Sequence, residues 1–165
     1  MIFYHGTSKK SGEKILQDGK ILTNAPKVYG KGHLIKETTD GYVYLTDKIS
    51  CAIDYGVNAC LLENSKSLSE DIYVFKIEVD KEEVEIDFDE IDVQKCSIPD
   101  IESKVVDIET SLEYLCSVRI PRNLLLNDDV KEYFTSPLYG KVVYESKRNK
   151  LKNEVIDGMV NWVRI

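Results

Sequence analysis

The chain has 165 residues, is 42% hydrophobic and 31% charged, and carries a net charge of −7. These are values of a folded chain with enough length for a real core, and one domain spanning 1–165 is expected. The acidic balance argues against broad, sequence-independent nucleic-acid binding and against attraction to an acidic membrane surface, since both need clustered Lys and Arg.

No segment approaches the roughly 20 apolar residues of a membrane-spanning helix. No basic start followed by an apolar stretch precedes the strand-like residues at Ile2, so folding in the cytoplasm is expected. Cysteines stand at 51, 60, 96 and 116 without a Cys-x-x-Cys pair. With only His5 and His33 beside them, a zinc site is not expected, and the cysteines read as buried, reduced thiols.

Taken in chain order, Ile2, Phe3 and Tyr4 favour a strand, with His5-Gly6-Thr7 at its expected end. Gly6 has no Cβ and allows close approach of a ligand to the backbone. Ser8 or Ser11 is placed to cap a following helix, and Gly19 to close it in a left-handed conformation. Lys20-Ile21-Leu22 reads as a short strand. Residues 23–41 are broken by Asn24, Pro26, Gly30, Gly32 and Gly41 and read as a long loop, either a binding element or a plain surface insertion. His33, within it, has no partner by spacing and reads as a loop histidine.

Residues 42–45 form a second expected strand. Thr46 or Asp47 then caps a helix with Ile49, Ala52, Ile53 and Val57 on one face. Tyr44 and Tyr55 either meet across a pocket or pack that helix onto the sheet. Residues 62–71 read as a loop, and 72–79 as a strand with Tyr73, Phe75, Ile77 and Val79 on its apolar face. The acid-rich stretch 80–92 reads as a solvated strand or loop, without the spacing of a calcium loop. Residues 101–112 show no clear pattern. Residues 113–120 read as a strand opening on Glu113 and ended by Pro121, with Leu124, Leu125 and Leu126 in a helix or turn. Lys147, Arg148, Lys150 and Lys152 form the one basic run, read as a solvated helix face or loop. Residues 154–165 carry the apolar side chains of a core-docking helix or strand.

Three segments in this order resemble the ADP-ribosyltransferase superfamily, and most closely its diphtheria-toxin and poly(ADP-ribose) polymerase branch with a His-Tyr-Glu site. The first is His5-Gly6-Thr7 with Ile15-Leu16, Gly19 and Ile21-Leu22. The second is Tyr44-Leu45-Thr46-Asp47 with Ala52 and Tyr55, and the third is Glu113-Tyr114-Leu115. The resemblance implies an α+β fold, a split and bent β-sheet pair with flanking helices and NAD held as co-substrate in the cleft. It implies that His5 bonds ribose hydroxyls, that the Gly6 backbone holds the nicotinamide carboxamide, that Tyr44 and Tyr55 sandwich the nicotinamide ring, and that Thr7 is among the NAD-binding residues. Glu113 is implied to bind the 2′-hydroxyl of the nicotinamide ribose and to stabilise positive charge there. His5, Tyr44 and Glu113 are thus the expected catalytic residues.

Two positions depart from the pattern. Ala52 stands where the polymerases usually carry a serine, which weakens the expected carboxamide contact. Ser111, two before Glu113, replaces the Glu or Gln of arginine-modifying toxins. The expected function is mono-ADP-ribosylation of a macromolecule, protein before nucleic acid, by a toxin, effector or phage-type modifier, with an antitoxin or inhibitor as a possible partner. The alternatives are a non-catalytic NAD or ADP-ribose binding module and an RNA 2′-phosphotransferase-like enzyme.

Overall fold

The branched and aromatic residues after Met1 form strand β1, Ile2–Ser8. The strand runs through His5-Gly6-Thr7 instead of ending there, because its whole length pairs antiparallel with a later strand. Ser8 both ends it and caps helix α1, Lys9–Asp18, its Oγ accepting from the Ser11 amide. Gly19, at φ 71°, closes that helix, its N–H donating to the Ile15 carbonyl. A left-handed residue after a helix favours glycine, which has no Cβ to clash.

The computed structural model describes residues 1–26, 38–63 and 70–165. Its remaining elements are, in order, β2 (Lys20–Ile21), β3 (Val43–Leu45), α2 (Ile49–Glu63), β4 (Asp71–Glu78), β5 (Glu85–Ile86), α3 (Phe88–Gln94), α4 (Ile101–Lys104), α5 (Ile108–Tyr114), β6 (Val118–Ile120), β7 (Leu124–Leu125), β8 (Val130–Pro137), α6 (Lys141–Asn149), α7 (Asn153–Asp157) and β9 (Val163–Arg164). The fold is mixed α and β, with 41% of the described residues in helix, a 3-10 turn at Lys81–Glu83 included, and 26% in strand, in several small sheets, compatible with an α+β class. His33 falls outside the described residues. None of the described helices is long and apolar enough to cross a membrane.

The largest sheet has the strand order β1-β4-β8-β9, and a second has the order β3-β6-β5. Besides side-chain packing, one isolated backbone bridge joins them among the described residues, where Tyr4 and Thr46 exchange backbone hydrogen bonds of 2.7 and 3.0 Å. Strands β1 and β3 separate just beyond it. The expected alternation in β4 holds, but both of its faces are covered. Phe75 and Ile77 join Phe3, Leu45 and Val118 in one core, while Ile72 and Val74 join Tyr4, Ile53 and Phe134 in another. Burial on both faces explains the apolar succession Ile72, Tyr73, Val74 and Phe75 in β4. Phe3, Phe75 and Phe134 are at most 1% exposed; truncating any of them to Ala costs about 3–5 kcal/mol by loss of burial and creation of a cavity.

Helix α2 lies across β1 and β4. An added Cβ on Gly6 would sit 1.6 Å from the Ala52 carbonyl oxygen, and one on Gly56 would sit 3.2 Å from the Thr7 carbonyl oxygen. Gly6 therefore serves close helix–strand approach. The start of α2 is met by Thr46, whose Oγ1 accepts from the Lys48 amide, and by Asn153, whose side chain accepts from the Ile49 amide and donates to the Asp47 carbonyl.

Three expectations need correction. Residues 113–120 are not one strand: α5 continues through Glu113 and Tyr114, Cys116 turns the chain at φ 55°, and β6 begins only at Val118. A reciprocal cap between Asp107 and Thr110 starts this helix and carries it past Glu113. The acid-rich 80–92 stretch is only in part a solvated strand or loop: Glu82 and Glu83 are exposed and Glu85–Ile86 is strand β5, but Asp87 is buried and caps helix α3. The cysteines are free, but Cys60 alone is buried; Cys51 and Cys116 are partly exposed and Cys96 is exposed.

Candidate functional site

The divergence of β1 and β3 opens a cavity of about 410 Å3, within the size range of small-molecule sites. His5, Gly6 and Thr7 of β1, Tyr44 of β3 and Tyr55 of α2 all line it. So do Ala25, Pro26, Thr38 and Thr39 from the two described ends of the 23–41 loop.

His5 bridges the gap between the strands. Its Nδ1 lies 3.0 Å from the Tyr44 carbonyl oxygen. A carbonyl only accepts, so Nδ1 carries the proton. Burial lowers the His5 pKa from its ordinary value, against the opposing effect of the Tyr44 carbonyl. The imidazole is therefore neutral at pH 7, with Nε2 as a hydrogen-bond acceptor.

The Gly6 backbone faces the same opening. Tyr4 spends its N–H and C=O on Thr46, and backbone groups two residues apart in a strand point to the same edge. The Gly6 groups thus emerge on the β3 side, where the bridge has ended.

Both tyrosines are anchored by their hydroxyls, leaving ring surface to the cavity. Tyr44 Oη donates to Asp89 and, at 3.2 Å, to the Thr39 carbonyl. Asp89 also accepts from the Thr39 amide and hydroxyl, both at 2.7 Å. Burial, and then Asp89 itself, push the Tyr44 phenol far above its usual range. Burial works against ionisation of Asp89, but the bonds from Tyr44 and Thr39 hold it below the ordinary carboxylate value. Tyr55 is hydrogen-bonded to Ser117, and its phenol is raised by burial and then by Glu90 and Asp87.

The acids of this cavity come from a segment that was expected to be solvated. Asp87, only 3% exposed, accepts from the Asp89 and Glu90 amides at 3.1 Å and from Ser117 Oγ at 2.5 Å. Burial raises its pKa against those bonds. Its oxygens are committed to capping α3 and holding β6. Glu90 differs. It lines the cavity, and one oxygen accepts from Gln94 at 2.8 Å. Burial raises its pKa, opposed by Gln94 and assisted by Asp87.

Glu113 is not part of this arrangement. It projects from α5, is exposed, and does not line the cavity. The structure brings together His5, Gly6, Thr7, Tyr44 and Tyr55 and leaves Glu113 outside. The signal that points to the inward acids is local: Asp87 followed three residues later by Glu90 is a helix N-terminus pattern. Ala52 is fully buried under β1.

The basic run does not flank the cavity. Lys147 and Arg148 border a separate groove with Leu61, Tyr139 and Tyr144. Among the described residues, the lysines at the main cavity are Lys14 and Lys20. Among the described residues no group of His, Cys, Asp and Glu side chains is arranged to hold a metal ion. No family model, curated protein or solved structure matches the chain.

Proposed function

We propose that this chain is an NAD-dependent ADP-ribosyltransferase on a split-sheet fold of that type, moving a single ADP-ribose unit to a macromolecular acceptor. The observation that carries the reading is the convergence of His5, Tyr44 and Tyr55 on one cavity from three separate elements. The residues fit NAD in several respects. Neutral His5 offers Nε2 to a ribose hydroxyl. The Gly6 N–H and C=O form a donor–acceptor pair for a carboxamide. The anchored tyrosine rings give flat apolar surface for a nicotinamide. Lys20 supplies positive charge for a diphosphate, while Lys14 is paired with Asp18 at 3.1 Å.

NAD, when bound, supplies a cationic N-glycosidic bond whose rupture releases neutral nicotinamide and leaves positive charge developing on the ribose. The carboxylate placed to stabilise that charge is Glu90, not Glu113. Glu90 lines the cavity and is partly desolvated, so its field acts in a low-dielectric setting. Because burial raises its pKa, turnover rises with pH as Glu90 ionises. Tyr44, Tyr55 and His5 orient the bond. The placement of the basic run on a different groove favours a protein acceptor over a nucleic acid.

Nicotinamide release by the wild type, Glu90→Gln and Glu113→Gln tests the assignment. Glu90→Gln is expected to lose about 100-fold or more in turnover while NAD binding persists, and Glu113→Gln to stay near wild type. Equal turnover by Glu90→Gln and the wild type refutes the role of Glu90, and absence of NAD binding by the wild type refutes the whole reading. A second reading, a non-catalytic NAD or ADP-ribose binding module, draws on the exposed position of Glu113. It requires NAD binding without nicotinamide release in the presence of any acceptor.

A further inference from the structure

Behind the cavity wall, two cysteines and a lysine meet. Cys51 stands in the first turn of α2, and Cys116 follows the end of α5. The two thiols are close neighbours, each a leading influence on the other's ionisation. Lys48 Nζ lies 3.4 Å from Cys116 Sγ and donates to the Leu112 carbonyl at 2.9 Å, which fixes its ammonium beside the sulfur. Both thiols are partly exposed. Cys116 adopts φ 55°, a left-handed conformation after a helix that glycine or asparagine normally fills.

We propose that Cys51 and Cys116 form a redox-active dithiol in which Cys116 is the attacking thiolate and Cys51 the resolving thiol. The neighbouring Cys51 thiol lowers the Cys116 pKa to about 6; burial and Asp47 oppose this, and Lys48 reinforces it. Cys116 and burial raise Cys51, so it stays protonated. The other charged or titratable groups facing the pair are Asp54 and Tyr55 from α2 and Glu90 from α3. A thiolate beside a cation, with a second thiol in reach, is the arrangement of an oxidation-sensitive cysteine.

With a peroxide as oxidant the chemistry balances. The Cys116 thiolate attacks one peroxide oxygen, the O–O bond breaks, and hydroxide leaves with Cys116 as the sulfenic acid. The Cys51 sulfur then attacks the Cys116 sulfur. The S–O bond breaks, and water leaves carrying the Cys51 proton. The product is a Cys51–Cys116 disulfide, with two electrons passed from the thiols to the peroxide. The bond would join α2, which carries Tyr55, to the entry of β6, which carries Ser117. The dithiol stands whatever the cavity binds.

Cys60 and Cys96 serve as internal references. At pH 7 Cys116 is expected to react with iodoacetamide about tenfold faster than the more exposed Cys96, since a thiolate outcompetes a thiol even after its lower intrinsic nucleophilicity is allowed for. Dilute hydrogen peroxide on the native protein, followed by thiol blocking and peptide mapping, is expected to yield the Cys51–Cys116 peptide pair with Cys60 and Cys96 free. Cys51→Ser is expected to stop at a sulfenic acid on Cys116 that a cyclic diketone traps. Lys48→Met is expected to slow alkylation of Cys116. The proposal is overturned if peroxide leaves Cys51 and Cys116 as thiols, if Cys96 reacts first, or if the preference for Cys116 persists in urea, where the site no longer exists.

Discussion

Replacing Gly6 by Ala tests how the cavity is built. The new methyl carbon would lie 1.6 Å from the Ala52 carbonyl oxygen and 2.5 Å from its carbon. Both are backbone atoms inside α2, so no side chain can rotate away. Bringing the closest contact to 3.0 Å, still tighter than most real contacts, requires the helix to retreat by roughly 1.4 Å. That movement would strip packing from Ile53, Val57, Ile72 and Val74, all at most 4% exposed. Overpacking a core typically costs 1–3 kcal/mol. A clash with two backbone elements belongs at the upper end, so about 3 kcal/mol or more is expected. At 165 residues this lowers Tm by about 6–12 °C. Urea unfolding, read from the fluorescence of Trp162, which packs on Tyr4 and Phe134, gives the free energy directly. Gly19→Ala is the reference: nothing lies within 4 Å of its Cβ position, so only the left-handed φ of 71° is penalised, by about 1 kcal/mol. A Gly6→Ala protein within 0.5 kcal/mol of wild type would refute the close approach of α2 to β1.

Asn153→Ala removes the acceptor for the Ile49 amide and the donor to the Asp47 carbonyl, and is expected to cost about 1–2 kcal/mol in urea unfolding. Two pH effects of opposite sign are expected. Glu90 has a folded pKa above its ordinary 4.5, so the folded state binds the proton more tightly and stability falls as pH rises through that range; Glu90→Gln should gain stability relative to wild type over that rise. His5 has a folded pKa below 6.5, so the unfolded state binds the proton more tightly and stability falls as pH drops through 6.5; His5→Gln should flatten that loss. Both are read from urea midpoints across pH.

The readable parts of the sequence are those fixed by neighbouring residues. Ser8 and Gly19 bound α1 through contacts within a few residues of themselves, and the helix with Ile49, Ala52 and Ile53 shows its face in its spacing. Glu113-Tyr114-Leu115 misleads because its residue types suit a strand, while the decisive feature is the cap between Asp107 and Thr110 upstream. The turn at Cys116 has no glycine to announce it. Strand β8 carries no strong local pattern; its place is set by pairing with β4, more than fifty residues earlier. The carbonyl and amide at the start of α2 find Asn153 more than a hundred residues away. Of the candidate site, the histidine, the glycine and both tyrosines are legible from two short segments. The acids are not, because a dense run of Asp and Glu hides which ones a helix turns inward.

The single bridge between Tyr4 and Thr46 makes those two amides natural reporters. Their hydrogen bonds to each other's carbonyls tie the larger sheet to the smaller one just where the cavity begins. Amide exchange at these positions therefore measures how often the two sheets part, apart from global unfolding. A molecule that grips His5 on one side and Tyr44 on the other would hold the seam shut and slow both amides together. One that rests on a single sheet would leave them unchanged. The protein thus carries a ligand assay in its own backbone, usable before any ligand has been identified.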